Sequence, residues 1–182
     1  IEMENYTPRL QVKNDWVENQ LDSCKFKIPE KFVVFSPGAI YGPSKQWPVE
    51  HYRELGKQLH KTFGHKILLL GTVDDIESGT KISHDHDWVY NYCGKTSLSQ
   101  LLAILTKTQL LVGNDSGSMH MMSALQRPQI AVFGSTSPIW TGPINSNAMV
   151  MSRELSCSPC FSRTCRFGHY ECLTQINPES VF

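Results

Sequence analysis

The chain has 182 residues, 40% hydrophobic and 19% charged, and its 17 basic and 17 acidic side chains cancel. That length supports one sizeable core and is short for two, and the balanced charge, with no Lys/Arg cluster, excludes an electrostatic nucleic-acid face. No apolar run approaches the roughly 20 residues of a membrane span, and the opening "IEMENYTPRLQVKNDW" lacks the basic-then-apolar order of a signal peptide.

In chain order, residues 1–30 read as a linker or partial helix. "KFVVFSPG" reads as a buried strand running into a turn. "PVEHYRELGKQLHKTFG" follows as a helix with Tyr52, Leu55, Leu59 and Phe63 on one face and Gly64 as its stop. "HKILLLGTVDD" is the next strand and loop, and "WVYNY" a weaker strand. "SLSQLLAILTK" spaces Leu98, Leu101, Leu102 and Leu105 helically behind a Ser97 cap. "TQLLVGNDSG" is a strand, "SGSMHMMSALQR" a helix, "PQIAVFGSTSP" a strand and loop, and "AMVMS" another weak strand. Continuous apolar strands alternating with helices predict an α/β fold: a Rossmann-like parallel sheet with helices on both faces. The body is expected over residues 31–154, with a cysteine-rich appendage at 155–182. The chain starts without Met and ends "INPESVF", where Asn177 and Pro178 read as the cap and first turn of a helix barely begun. The expectation is a piece of a longer protein.

An open parallel sheet binds ligands beyond the carboxyl ends of its strands, and three loops at that edge carry unusual residues. In "SPGAIYGPSKQWP" the glycines and prolines shape a long loop that ends near Lys45, which either reaches an anion at the sheet edge or is simply solvated. In "GTVDDIE" Asp74 or Asp75 either accepts from sugar hydroxyls or caps a helix. In "GNDSGSMH" the free amides of a helix start, with no side chain at Gly117, form an anion site flanked by the hydroxyls of Ser116 and Ser118. Asp115 would repel a phosphate, so it must cap amides or accept from neutral hydroxyls. His120 is within reach of a phosphate oxygen, or is structural. Together the loops favour a diphosphate ligand. Neither G-x-G-x-x-G nor a P-loop spacing is present, which disfavours hydride transfer and P-loop nucleotide hydrolysis.

Six cysteines complete the inventory. Cys24 and Cys93 stand alone, while Cys157, Cys160, Cys165 and Cys172 crowd into "CSPCFSRTCRFGHYEC", with His169 among them. A secreted disulfide framework would spread its cysteines through the chain, so a reducing, cytoplasmic setting is expected. The C-x2-C-x4-C-x6-C pattern can close a structural zinc site, take an iron–sulfur cluster, or remain free or disulfide-paired thiols.

"FSPGAIYGPSKQWP", "GNDSGSMH" and the cysteine segment together resemble the ADP-heptose:lipopolysaccharide heptosyltransferases, from about residue 31 onward. The resemblance implies the C-terminal, donor-binding domain of a two-domain B-type glycosyltransferase. By resemblance, Lys45 binds the donor phosphates and Asp115 meets the heptose hydroxyls. Ser116 and Gly117 offer amides to the diphosphate, and His120 supports that grip. Asp75 binds the ribose, Thr96 lines the adenine pocket, Ile40 and Tyr41 belong to the phosphate loop, and Trp47 buttresses it. The implied chemistry is metal-independent, with ADP-heptose as donor. The lipopolysaccharide core is the implied acceptor, presented by a missing N-terminal domain that carries the general base at the inner membrane face. Arg163, Arg166 and His169 are expected near that cleft. A non-catalytic nucleotide- or metal-binding module and a sugar-nucleotide epimerase half are the alternatives.

Overall fold

The computed structural model describes residues 7–182; residues 1–6 of the expected linker lie outside the described residues. The first strand, β1 (Phe32–Ser36), is buried at every position. Such a strand needs cover on both faces, and two separate apolar clusters provide it. Val33 and Phe35 point into one, with Tyr52, Leu55 and Leu59 of α2 (Val49–Phe63) and Ile82 of α3 (Ile76–Ser83). Phe32 and Val34 point into the other, with Ile104 and Leu105 of α4 (Leu98–Lys107) and Met122 of α5 (Gly117–Ala124).

Among the described residues the sheet has six strands, all parallel, in the order β3-β2-β1-β4-β5-β6. The remaining five are β2 (Lys66–Leu69), β3 (Val89–Asn91), β4 (Leu111–Asn114), β5 (Gln129–Val132) and β6 (Ala148–Met151). The expected α/β class and parallel sheet are thus observed, the weak strands included. The chain leaves β1 toward β2 on one side and returns at β4 on the other. This reversal opens a crevice at the carboxyl ends of β1 and β4.

The helix ends follow local chemistry. Gly64 takes a left-handed φ of 69° and donates to the His60 carbonyl, ending α2 as the sequence predicts. Phe63, expected on the buried face, is 59% exposed at the last position of α2, where its ring stacks on Phe182. Ser97 and Gln100 form a reciprocal capping box at the start of α4. Ser97→Ala is expected to destabilise the protein by about 1 kcal/mol, a fall in Tm of roughly 2–4 °C measurable by circular dichroism.

Both flanking stretches contribute to the body. Within residues 7–30, α1 (Asn14–Asp22) buries Val17, and Lys107 pairs with Glu18 at 2.6 Å. Phe26 stacks on Tyr92 with ring centroids 3.8 Å apart. At the other end, α6 (Pro138–Thr141) follows β5, and the chain closes with α7 (Glu171–Thr174) and α8 (Pro178–Val181). Leu173, Ile176 and Val181 enter the same apolar cluster as α2, so the expected border at residue 154 is crossed by shared core packing.

Candidate functional site

The crevice between β1 and β4 is framed by one side chain. Asn114, the last residue of β4, is fully buried and bonds in four directions. Its Oδ1 accepts from the Trp47 N–H at 3.0 Å and the Tyr52 hydroxyl at 3.2 Å. Its Nδ2 donates to the carbonyls of Pro37 at 2.7 Å and Gly38 at 3.3 Å. The loop after β1 is thereby pinned at both its start and its end. Trp47 is buried beneath it and donates its indole N–H to the Ile176 carbonyl at 2.9 Å, the buttress the sequence suggests.

Within that loop the 3-10 turn Pro43–Lys45 carries Lys45 to the edge of the crevice, where it is not itself a lining residue but pairs with Asp115, which is. Gly42 initiates it at φ 144°, and a Cβ there would stand 2.5 Å from the Arg163 carbonyl oxygen, so glycine is required. Lys45 Nζ meets Asp115 Oδ2 at 2.5 Å, with side chains only 11% and 4% exposed. Asp115 also accepts from Thr136 Oγ1 at 2.7 Å and Thr141 Oγ1 at 3.1 Å. The ammonium lies over the Tyr41 ring, 4.7 Å from its centroid. Asp115 therefore holds a cation and two hydroxyls; it does not cap the helix that follows.

That helix, α5, opens on the crevice. Its cap Ser116 is extended and makes no side-chain capping bond. Its hydroxyl instead joins a chain through Ser118 Oγ at 3.0 Å to Ser36 Oγ, 2.9 Å further on. A Cβ built on Gly117 would meet nothing within 4 Å. First-turn amides free of a side-chain cap, an open approach at glycine and the positive end of the helix dipole together suit an anion.

The crevice has a volume of about 630 Å³ and is lined by Ile40, Tyr41, Asp75, Thr96, Asp115, Ser116 and Gly117, all seven expected there. Ile40 projects at the mouth, 87% exposed. Leu70, Val73, Leu98, Leu101 and Met121 give one wall an apolar surface. Leu98, expected in the core stripe of α4, is 70% exposed and faces this wall, while Ala103, Ile104 and Leu105 make the buried contact. Asp75 lines the crevice but is engaged locally: its Oδ2 accepts from the Thr72 N–H at 2.7 Å and hydroxyl at 2.9 Å as part of a capping box. Its carboxylate occupies the space a Cβ of Gly38 or Gly71 would need. Nearby Cys93 is pushed up to about 12 by burial, with the Asp75 charge adding to the effect, so it remains a thiol.

His120 is exposed on α5 and is not among the lining residues; Met121 turns inward instead. Thr136, Thr141 and Asn114 bond to the side chains and loop of this site, and the sequence does not single them out. Thr136 has a local signal in the hydroxyl-rich "STSP" after β5, at the same sheet edge as the other loops; Thr141, in "IWTGP", has none.

The cysteine segment flanks this site. Arg163 donates to the Tyr41 carbonyl at 3.2 Å and lies over its ring, and Arg166 lies over Phe167. All six cysteines are free thiols. The expected structural zinc has no preformed cage: among the described residues no three His, Cys, Asp or Glu side chains are gathered to hold an ion. Backbone N–H groups, foremost that of Tyr170, hold the Cys165 thiol below its ordinary range; burial and the three neighbouring thiols push Cys172 up. No helix among the described residues is long and apolar enough to cross a membrane.

The sequence and fold are matched by known proteins. Lipopolysaccharide heptosyltransferase 2 of Salmonella typhimurium is 34% identical over 96% of this chain and 51% of its own length. The structure of E. coli ADP-heptose LPS heptosyltransferase II superposes with a TM-score of 0.81 at 32% identity, covering 96% of this chain and 51% of that one. E. coli heptosyltransferase WaaC with ADP gives 0.67 at 26% identity over 97% and 49%. The chain thus spans about half the length of these relatives. The family model for glycosyltransferase family 9 (heptosyltransferase) matches residues 1–171, and the chain belongs to that family.

Proposed function

We propose that this chain is the donor-binding half of a cytoplasmic heptosyltransferase, holding ADP-heptose for transfer to the inner core of lipopolysaccharide. The observation that carries the reading is the Lys45–Asp115 pair set beside the open start of α5, at the switch point of the sheet. Family membership favours transfer over the epimerase and binding-module alternatives.

The chemistry follows from charge. Cleaving the heptose–ADP bond puts negative charge on diphosphate oxygens and positive character on the sugar carbon. The Lys45 ammonium and the α5 amides stabilise the leaving diphosphate. Asp115, oriented by Thr136 and Thr141, accepts from heptose hydroxyls once Lys45 is shared with phosphate. The apolar wall and Thr96 receive the adenine. Asp75 reaches the ribose only with the carboxylate oxygen its capping box leaves free. The solvent-facing position of His120 gives it at most an outer role at the diphosphate. Transfer needs no metal in this scheme, and a zinc ion at the cysteine segment would serve structure alone. The general base and the lipid-linked acceptor belong to an N-terminal domain, with contact at the inner membrane face.

Isothermal calorimetry on this chain is expected to show ADP binding, at least about tenfold weaker binding of UDP and GDP, and no transfer in an assay with ADP-heptose and acceptor. Absence of ADP binding, or turnover by this chain alone, would overturn the reading. Gly117→Ala is expected to leave stability unchanged or raise it by up to about 1 kcal/mol. The same change should weaken ADP by about tenfold, because the new methyl stands in the open approach to the α5 amides.

A further inference from the structure

None of residues 152–171 is buried, and no helix or strand lies between Ser152 and Tyr170. A stretch this long with no core of its own needs another source of order. Two of the four non-glycine residues with positive φ among the described residues fall here: Phe161 at 53°, directly after Cys160, and Tyr170 at 52°, two residues before Cys172. Gly168 turns at 74°, three residues after Cys165. Non-glycine residues hold such conformations when their surroundings over-determine them.

What these turns accomplish is convergence. Cys157, Cys160, Cys165 and Cys172 line one small cavity of about 20 Å³, room for about one water-sized body. Its wall also includes Ser44, in the turn that carries Lys45, and Ser135, in the loop after β5. His169 lines it as well, but its Nδ1 already accepts from the Glu171 N–H at 3.0 Å, which leaves the four sulfurs as the ligand set. Four cysteines on the wall of one cavity offer the donor set of a tetrahedral thiophilic ion, although no three of them are gathered to hold it before their side chains rotate.

We propose that these four cysteines form a structural thiolate site for a divalent cation of the zinc class, closed on loading by rotation of their side chains into the shared cavity. The bound ion fixes the turns at 161, 168 and 170, and through them the loop that presents Lys45. That linkage is direct. Phe161 donates its N–H to the Ser135 carbonyl at 2.8 Å and accepts from the Tyr41 hydroxyl at 2.5 Å. The Arg163 carbonyl accepts from the Ser44 N–H at 3.2 Å, and the Ser44 hydroxyl donates to the Ser162 carbonyl. Ser44 immediately precedes Lys45. The effect on ADP rests on the proposed function above; the metal site does not.

The test loads the purified, reduced chain with zinc alone. The expected result is one zinc per chain by elemental analysis after gel filtration, and thiolate-to-metal charge-transfer absorption when cobalt(II) replaces it. Cys157→Ser and Cys165→Ser should each lose stoichiometric metal, while Cys24→Ser retains it. Stripping the metal should weaken ADP by about tenfold, with recovery on adding zinc. Zinc binding without ADP binding would sink the functional reading and leave the metal site standing. Sub-stoichiometric zinc with four thiols still titrating in the folded chain overturns the proposal, as does mass-spectrometric evidence that these cysteines pair as disulfides in the isolated protein.

Discussion

Lys45→Met is expected to weaken ADP binding at least tenfold and to destabilise the fold by about 3 kcal/mol. The stability loss comes from the partner left behind. Asp115 is 4% exposed at its side chain, and two threonine hydroxyls are weak compensation for a missing ammonium at 2.5 Å. Removing one member of a buried ion pair strands the other charge, whereas removing both is often close to neutral. Lys45→Met with Asp115→Asn is therefore expected to regain most of the lost stability while ADP remains weak. Chemical denaturation of the four proteins of this cycle gives the coupling directly. Additive losses would show that the pair is uncoupled; recovery of ADP affinity in the double variant would remove Lys45 from the binding role.

Asn114→Ala should cost about 3–5 kcal/mol, a fall in Tm of roughly 10 °C at 2–4 °C per kcal/mol. No other single side chain described here bonds to both ends of the loop after β1. Its loss leaves the Trp47 N–H and the Pro37 carbonyl unpaired in a site without solvent access. Asn114→Asp is expected to fail similarly, because a carboxylate accepts from Trp47 and Tyr52 but donates nothing to Pro37 or Gly38. Thermal denaturation checks both; a fall under about 2 °C would mean that the loop is held elsewhere.

The sequence exposes the features that repeat locally. Unbroken apolar runs such as "FVVF" and "ILLL" announce strands covered on both sides, and Gly64 and Ser97 mark helix ends through their own conformational and capping preferences. Lys45 and Asp115, 70 positions apart, are each legible at the same sheet edge, but not as an ion pair, because the sequence offers Asp115 only amides and hydroxyls as partners. What stays hidden depends on rotation and distance. His120 lies one residue short of Met121, about 100° round the helix, and that step decides which of them faces the crevice. Leu98 fits the helical period yet is the first residue of its helix and lines the crevice rather than the core. Thr136 and Thr141 become donors to Asp115 only because β5 lies beside β4, a pairing that no local pattern reports. The flanking segments read as accessory because their polar stretches mask a few anchors such as Val17 and Ile176.

Those late anchors set an order on biogenesis. A nascent polypeptide emerges from the ribosome N-terminus first, so all six strands are available before Leu173, Ile176 and Val181 have left the exit tunnel. Until then one flank of the sheet is bare of part of its cover, and the Trp47 indole has no carbonyl to receive its proton. Until they emerge, the nascent chain exposes apolar sheet surface of the kind that chaperones bind.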